Sequence, residues 1–286
     1  MFFNATKQHL LHSCGLVLRS DKLLTILILF LLIRPVSGQA SKESSWRFEV
    51  NLGIATIPSY LGDDSYQLVI LPNFRAMHSS GFFISMTEGF GYNVLKTKNW
   101  QITHILKYNT GRFEDGTAPA RLAGKETNDL IGLGDIPFTL EPGIRIEYAH
   151  GATRSTVEAR QGLGGHRGFF GEFRSEYINL FKLSKLPVYY MLGPKINITS
   201  SKFNNSFFGI TETQSTATGL EIYDTEFGVL SYGLQGTLVL PLGSRQSMTI
   251  FANYSRIGQT VANSSLIKTH GSKHQAMLVL MFNYTF

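Results

Sequence analysis

Cysteine is nearly missing from this chain: Cys14 is the only one in 286 residues. No intrachain disulfide can form, so stability must come from hydrogen-bonded and packed structure. Charge is scarce too. Charged residues make up 16%, against about 25% in an ordinary soluble domain. With 12% aromatics, such a chain is too apolar for a disordered tail. Long apolar runs are also lacking: none reaches the roughly 18 residues that a membrane-spanning helix needs. The mean hydropathy of +0.01 likewise excludes a polytopic helical membrane protein. What is left is a soluble globule or a β-barrel that crosses a membrane with strands.

The most apolar stretch is short. Leu23 to Ile33 reads LLTILILFLLI, with Arg19 and Lys22 before it and Val36-Ser37-Gly38-Gln39-Ala40 after it. A basic n-region, a short apolar h-region and a small-residue cleavage site make a secretory signal peptide. As a helix the run would span about 16 Å, too little for a bilayer core. The expected division is therefore a signal peptide with a long n-region over 1–38 and an exported domain over 39–286. Cleavage after Gly38 and cleavage after Ala40 both fit. The leader carries Lys7, Arg19, Lys22 and Arg34 against Asp21, half of the +6 net charge, and it takes Cys14 with it. The basic pI is then no argument for a nucleic-acid partner.

Beyond Trp46 the chain alternates with period two, apolar on one face and polar on the other. Trp46-Phe48-Val50-Leu52-Ile54 interleaves with Arg47-Glu49-Asn51-Gly53, and Leu140-Pro142-Ile144-Ile146-Tyr148 with Glu141-Gly143-Arg145-Glu147. Phe173-Tyr177-Phe181 lies opposite Glu172-Arg174-Glu176, and Val188-Tyr190-Leu192-Ile196-Ile198 opposite Lys195-Asn197-Thr199. The runs Leu230 to Leu240 and Met248 to Tyr254 behave alike. A soluble sandwich also alternates, but its strands average about 5 or 6 residues, whereas membrane strands need about 9 to 11. These segments run 9 to 15 residues, and aromatics gather at their ends. The fold expected is all-β: a transmembrane antiparallel β-barrel, greasy outside and wet inside.

The polar face then becomes a lumenal charge ladder. Its members are Arg47, Glu49, Arg75, Lys107, Glu141, Arg145, Glu147, Arg154, Glu158, Arg160, Glu172, Arg174, Glu176 and Lys195. Both signs alternate closely, so mutual neutralisation in a narrow lumen is favoured over lining a pore for a solute. The C-terminal segment is the sharpest signal. Leu278, Leu280, Phe282, Tyr284 and Phe286 share one face, and a last strand ending in an aromatic residue resembles the insertion signal read by the barrel-assembly machinery.

Short links at His78-Ser79-Ser80, His150-Gly151, Leu183-Ser184-Lys185 and Leu242-Gly243-Ser244 contrast with long ones at Ala55–Ser65, Ser200–Thr225 and Gly258–Lys273. Outer-membrane barrels have short periplasmic turns, long external loops and an even strand number. These links fall on their proper sides if one further pass lies between Thr110 and Gly134. That gives about twelve strands, with ten as the fallback, or with that span folded into the lumen as a loop.

Several motifs resemble the MipA/OmpV family. They are Pro58-Ser59-Tyr60-Leu61-Gly62, Gly111-Arg112, Leu122-Ala123-Gly124 and Gly132-Leu133-Gly134-Asp135-Ile136, then Phe207-Phe208-Gly209-Ile210-Thr211, Ala217-Thr218-Gly219-Leu220 with Tyr223, and Asn283-Tyr284-Thr285-Phe286. The family's Ser-Pro before the last strand is absent; Ser264-Ser265-Leu266 stands there. The resemblance implies a non-enzymatic barrel of the bacterial outer membrane, in contact with its lipid. It also implies a scaffold for a murein hydrolase and a murein synthase, with small-solute or antibiotic passage as the alternative.

His78-Ser79 sits in a turn where neighbouring side chains diverge, and His104 should face lipid with Ile102 and Leu106. His166, His270 and His274 fall in or beside long loops, where histidines are mostly solvated. Asp63-Asp64 suggests the carboxylate pair of a barrel protease rim, but no Asp–His partner pair is evident, and a solvated Asx turn is the simpler reading. No metal-ligand cluster, no cofactor motif and no phosphate loop at Gly162-Leu163-Gly164-Gly165 is expected. Basic residues oppose acids rather than forming a stripe, so no nucleic-acid partner is expected.

Overall fold

The computed structural model describes residues 46–116, 120–124 and 127–286. The signal-peptide segment lies outside the described residues. Among the described residues, fourteen strands and four short helices follow one another. The first five strands are β1 (Trp46–Pro58), β2 (Tyr66–His78), β3 (Phe82–Ser85), β4 (Gly89–Lys96) and β5 (Trp100–Asn109). Then come β6 (Arg121–Gly124), β7 (Thr139–His150), β8 (Thr153–Gln161), β9 (Leu163–Gly164), β10 (Phe169–Leu183) and β11 (Leu186–Thr199). Helices α1 (Ser201–Phe208) and α2 (Glu212–Thr218) precede β12 (Gly228–Pro241) and β13 (Gln246–Ile257). Helices α3 (Gln259–Ala262) and α4 (Ser265–His270) lead into β14 (His274–Thr285).

Twelve of these strands close a ring in which every neighbour is antiparallel. β1 pairs with β2 on one edge and with β14 on the other, so the last strand joins the first, from Glu49↔Thr285 to Thr56↔Leu278. Closure joins the first and last strands, which lets strands lie in lipid with their backbone groups paired to neighbours. Alternation decides what faces each side. Leu52 (43% exposed), Val157 (49%), Leu192 (55%) and Leu234 (56%) stand on the outer face. In water so much exposed apolar surface would be a liability; in hydrocarbon it costs nothing. Aromatic pairs mark both borders of the belt: Trp100–Tyr148 at 4.5 Å by the short turns, Tyr108–Phe138 at 6.0 Å by the long loops.

The strand number agrees with twelve, but the twelfth pass is not where the links suggested. β5 pairs directly with β7, from Trp100↔Tyr148 to Asn109↔Thr139, so no ring strand lies between Thr110 and Gly134. The extra pass comes from β3, only four residues long, which turns back at Met86-Thr87-Glu88 into β4. Above this short hairpin the edge of β2 would stand open. β6 fills part of it, pairing Gln67↔Gly124 and Leu68↔Ala123. A four-residue strand carries too little alternation to be read from sequence.

The two ends differ. At the long-loop end, loop side chains pack into one apolar core: Tyr60, Leu130, Leu133, Phe203, Phe208, Ile210, Leu220, Val261, Ala262, Leu266 and Ile267, seated on Leu230 and Ile257 at the strand tips. Burying each Leu, Ile, Val or Phe contributes about 1.5–3 kcal/mol, enough to order four helices of four to eight residues that would be marginal alone. Hydrogen bonds knit them. Ser265 Oγ donates to Glu221 O (2.6 Å), Tyr223 Oη to Thr260 O (2.8 Å) and Asn204 Nδ2 to Glu226 O (2.8 Å). Thr211 forms a capping box with Gln214 at the start of α2.

Candidate functional site

The lumen is two-sided. On β1, β2, β13 and β14 part of the inward face is apolar: Ala55, Val69 and Val279 are buried, with Ile57, Leu71, Phe251, Met277 and Met281 against them, while Gln67, Asn73, Arg75 and Gln275 keep the rest polar. This corrects the expectation of a uniformly wet interior. On the opposite wall, β5, β7, β8, β10 and β11 aim charges inward, in two groups.

The first group centres on Glu158, 1% exposed. Lys107 Nζ stands 2.7 Å from its Oε1, and Arg145 Nε donates to its Oε2 at 2.8 Å. Arg145 Nη1 also donates to Glu88 Oε2 at 2.9 Å, and Glu88 Oε1 lies 3.5 Å from Arg75. Arg160 Nε lies 2.9 Å from Glu158 Oε1 but is poorly aimed for a hydrogen bond. Its Nη1 donates to Glu141, and its guanidinium stacks 4.2 Å from the Phe170 ring centre. Glu141 Oε1 closes the group on His166 Nε2 at 2.8 Å, while His166 Nδ1 accepts from Gly168 N at 3.0 Å. That acceptor role leaves the ring proton on Nε2, pointing at the carboxylate. In the second group, Lys195 and Arg174 hold Glu172 (2.8 and 2.6 Å), and Gln235 Nε2 donates to Glu176 (2.8 Å).

The remaining ladder members are less engaged. Glu147 accepts from Gln101 Nε2 at 3.1 Å. Arg47 and Glu49 lie at the short-turn end of β1, and Arg154 at that end of β8, none within ion-pair distance of an opposite charge among the described residues. Two members of the network escaped the sequence. Glu88 sits in a turn with no periodic signal. His166, set aside as a loop histidine, is 2% exposed and packs 4.8 Å from the Phe203 ring. The available clue was its glycine company: a Cβ on Gly162 would meet His166 Cε1 at 2.3 Å.

The charged wall borders a cavity of about 930 Å³ that opens between the turns at His78–Gly81 and Lys96–Trp100 and reaches up to Glu88, Lys107 and Arg145. The other end is covered by the loop core. Two of its glycines have a clear physical role: Gly132 (φ 87°) and Gly134 (φ 72°) direct their N–H groups onto Glu114 Oε2 at 3.2 Å each, which turns Leu130 and Leu133 into the core. Arg112 Nη1 donates to Phe207 O, and burial pulls its guanidinium down to about 10, opposed by Tyr60 and Asp135. Burial, then Asp63, pushes the Tyr60 phenol up.

The other candidates take simple places. His104 is exposed on the lipid side opposite Tyr92, as expected. His78 Nδ1 bonds Ser80 Oγ at 2.8 Å, and His274 Nδ1 bonds Tyr254 Oη at 2.7 Å. The fold does form an Asp–His pair that the sequence hid, Asp129 and His270 at 3.5 Å, partly exposed. Yet Asp63 is spent on an Asx turn, accepting from Ser65 N (3.0 Å) and Oγ (2.8 Å). Leu278, Leu280, Phe282 and Phe286 stand exposed on the outer face of β14, with Tyr284 half-buried among them.

A closed twelve-strand barrel with an apolar belt, aromatic borders and a charged lumen defines an outer-membrane β-barrel protein. Within that class, residues 50–286 match the family model of MltA-interacting protein MipA, and the chain belongs to this family. It is 26% identical over 143 residues to outer membrane protein Omp26La of Vibrio anguillarum, covering 50% of this chain and 53% of that protein. It is 26% identical over 141 residues to OmpV of Vibrio cholerae, covering 49% and 52%. The chain thus spans about half the length of the curated relatives it matches. Among solved structures, an outer membrane channel from Pseudomonas putida F1 aligns with a TM-score of 0.45 at 12% identity, over 89% of this chain and all of that one. The protein resides in the bacterial outer membrane, and in such barrels the short turns face the periplasm.

Proposed function

We propose that this barrel is a non-enzymatic scaffold of the cell envelope that presents its periplasmic mouth to murein hydrolase and synthase partners. The observation that carries the reading is the difference between the ends: apolar loops cover the external one, while the cavity opens at the periplasmic turns. A solute channel wants both ends passable; a scaffold wants one rigid, accessible face. The family description, naming an MltA-interacting protein, supports the same direction.

The test is site-specific photocrosslinking in cells. Crosslinkers at Ser79 and Lys98, in periplasmic turns, should capture a lytic transglycosylase or a murein synthase. Crosslinkers at Glu212, on the outside, should not. Recovery of neither enzyme from the turns would sink the scaffold reading. Reproducible conductance of the purified barrel in planar bilayers would favour the channel instead.

A further inference from the structure

We propose that the periplasmic cavity is a binding site for a small, multiply charged anion bearing carboxylate or phosphate groups. The lumen as a whole is close to neutral, but the groups that line the cavity are not. Arg75, Arg154 and Arg174 project into it from the wall, Lys96 and Lys98 from the turn, and Lys107 and Arg145 close its inner end. Only Glu88 and Glu147 line it from the acidic side. The carboxylates that hold Lys107, Arg145 and Arg174 stand behind them: Glu158 is 1% exposed, and Glu172 and Glu176 have side chains 9% and 12% exposed. These three acids are withdrawn into the wall, whereas Lys96, Lys98 and Arg154 stand exposed.

Part of that positive charge is uncommitted. Arg154, Lys96 and Lys98 have no carboxylate within ion-pair distance among the described residues. Arg75 touches Glu88 only at 3.5 Å and lies 5.5 Å from the Phe83 ring centre, and its Nε is buried without a hydrogen-bond partner. The Arg75 side chain is nevertheless one-third exposed where it lines the cavity. Guanidinium groups match planar carboxylates and phosphates in pairs of bonds, and low-dielectric walls focus the field of a one-signed cleft. At about 930 Å³ the space suits a ligand of metabolite to oligosaccharide-fragment size, within the roughly 300–1,000 Å³ of small-molecule sites. The proposal stands apart from the scaffold reading, since it needs no protein partner.

The experiment is calorimetric titration of the full, refolded barrel in neutral detergent at low salt. Citrate and inorganic pyrophosphate are the anionic probes, and a neutral trisaccharide is the control. Saturable binding of at least one anion is expected, with none for the sugar, and the tighter of the two assigns carboxylate or phosphate. Arg154→Gln should weaken it about tenfold, Lys96→Gln with Lys98→Gln severalfold, and Glu147→Gln should strengthen it. Arg154 and both lysines are exposed, so folding is not at stake in those variants. Added salt should weaken binding throughout. The proposal is overturned if neither anion binds saturably, or if the Arg154 and lysine variants bind like the parent, or if the neutral sugar binds as tightly. Because the titration holds no second protein, its result is independent of the crosslinking outcome.

Discussion

The external cap and the periplasmic mouth are built from similar material, loops and turns between strand ends, yet they end in opposite states. The cap gathers eleven apolar side chains over two strand tips and binds itself with side-chain-to-backbone hydrogen bonds. The mouth has turns of a few residues, at 79–81 and 97–99, that hold nothing apolar over the lumen. Loop length makes the difference. A loop of more than twenty residues can fold back and bury its own Leu and Phe; a three-residue turn cannot leave the barrel rim. The external end therefore behaves as a small globular core on a membrane cylinder, and the periplasmic end as an open rim of cations.

Breaking the cap should have the largest effect. Phe208→Ala removes a ring that is 1% exposed and should loosen the cap by about 3–5 kcal/mol. Limited proteolysis should then cut within 200–227 while the strands stay intact; cleavage no faster than in the parent would refute a cooperative apolar cap. Next comes the wall beneath. Glu158→Gln strands Lys107 and Arg145 in a buried place and should cost about 3 kcal/mol, lowering the unfolding temperature in detergent without exposing the cap loops. Removing Phe286, whose N–H bonds Phe48 O at 2.9 Å across the closing seam, should reduce the level of assembled barrel; undiminished levels would end our account of the C-terminal face as an assembly signal. Thr211→Ala deletes a capping box and should cost about 1 kcal/mol, read as slightly faster proteolysis of the same loop.

The smallest expected effect is a pH dependence confined to the cap. Burial, chiefly, raises the Asp63 carboxyl, against the hydrogen bonds from Ser65. An acid whose folded pKa is raised contributes stability that is fully present below its unfolded pKa and is lost as pH rises through the folded one. The cap should therefore resist protease slightly better in mild acid than at neutral pH, and Asp63→Asn should flatten that difference. A steeper profile in the Asn variant would assign the dependence to another group.

Much of the wall was legible because membrane strands repeat one rule over long stretches. The alternation of Glu172, Arg174 and Glu176 against Phe173 and Tyr177 survives into three dimensions without change, since a strand in a closed barrel has only two faces. Short elements escaped. β3 has four residues, and β6 pairs with a strand some fifty positions earlier, so neither leaves a periodic trace. His166 escaped for a different reason: its loop position says solvent, while Phe203 and Glu141, from elsewhere in the chain, enclose it. Asp129 and His270 likewise meet only through the fold.

Period-two patterning and strand length, both local properties, were enough to determine a barrel and its lipid face. What only the tertiary structure decided is how the charges pair, that an apolar cluster occupies part of one lumenal wall, and which end is covered. Such features depend on contacts between residues far apart in the chain, and loop closure brings those together by geometry that no local repeat encodes.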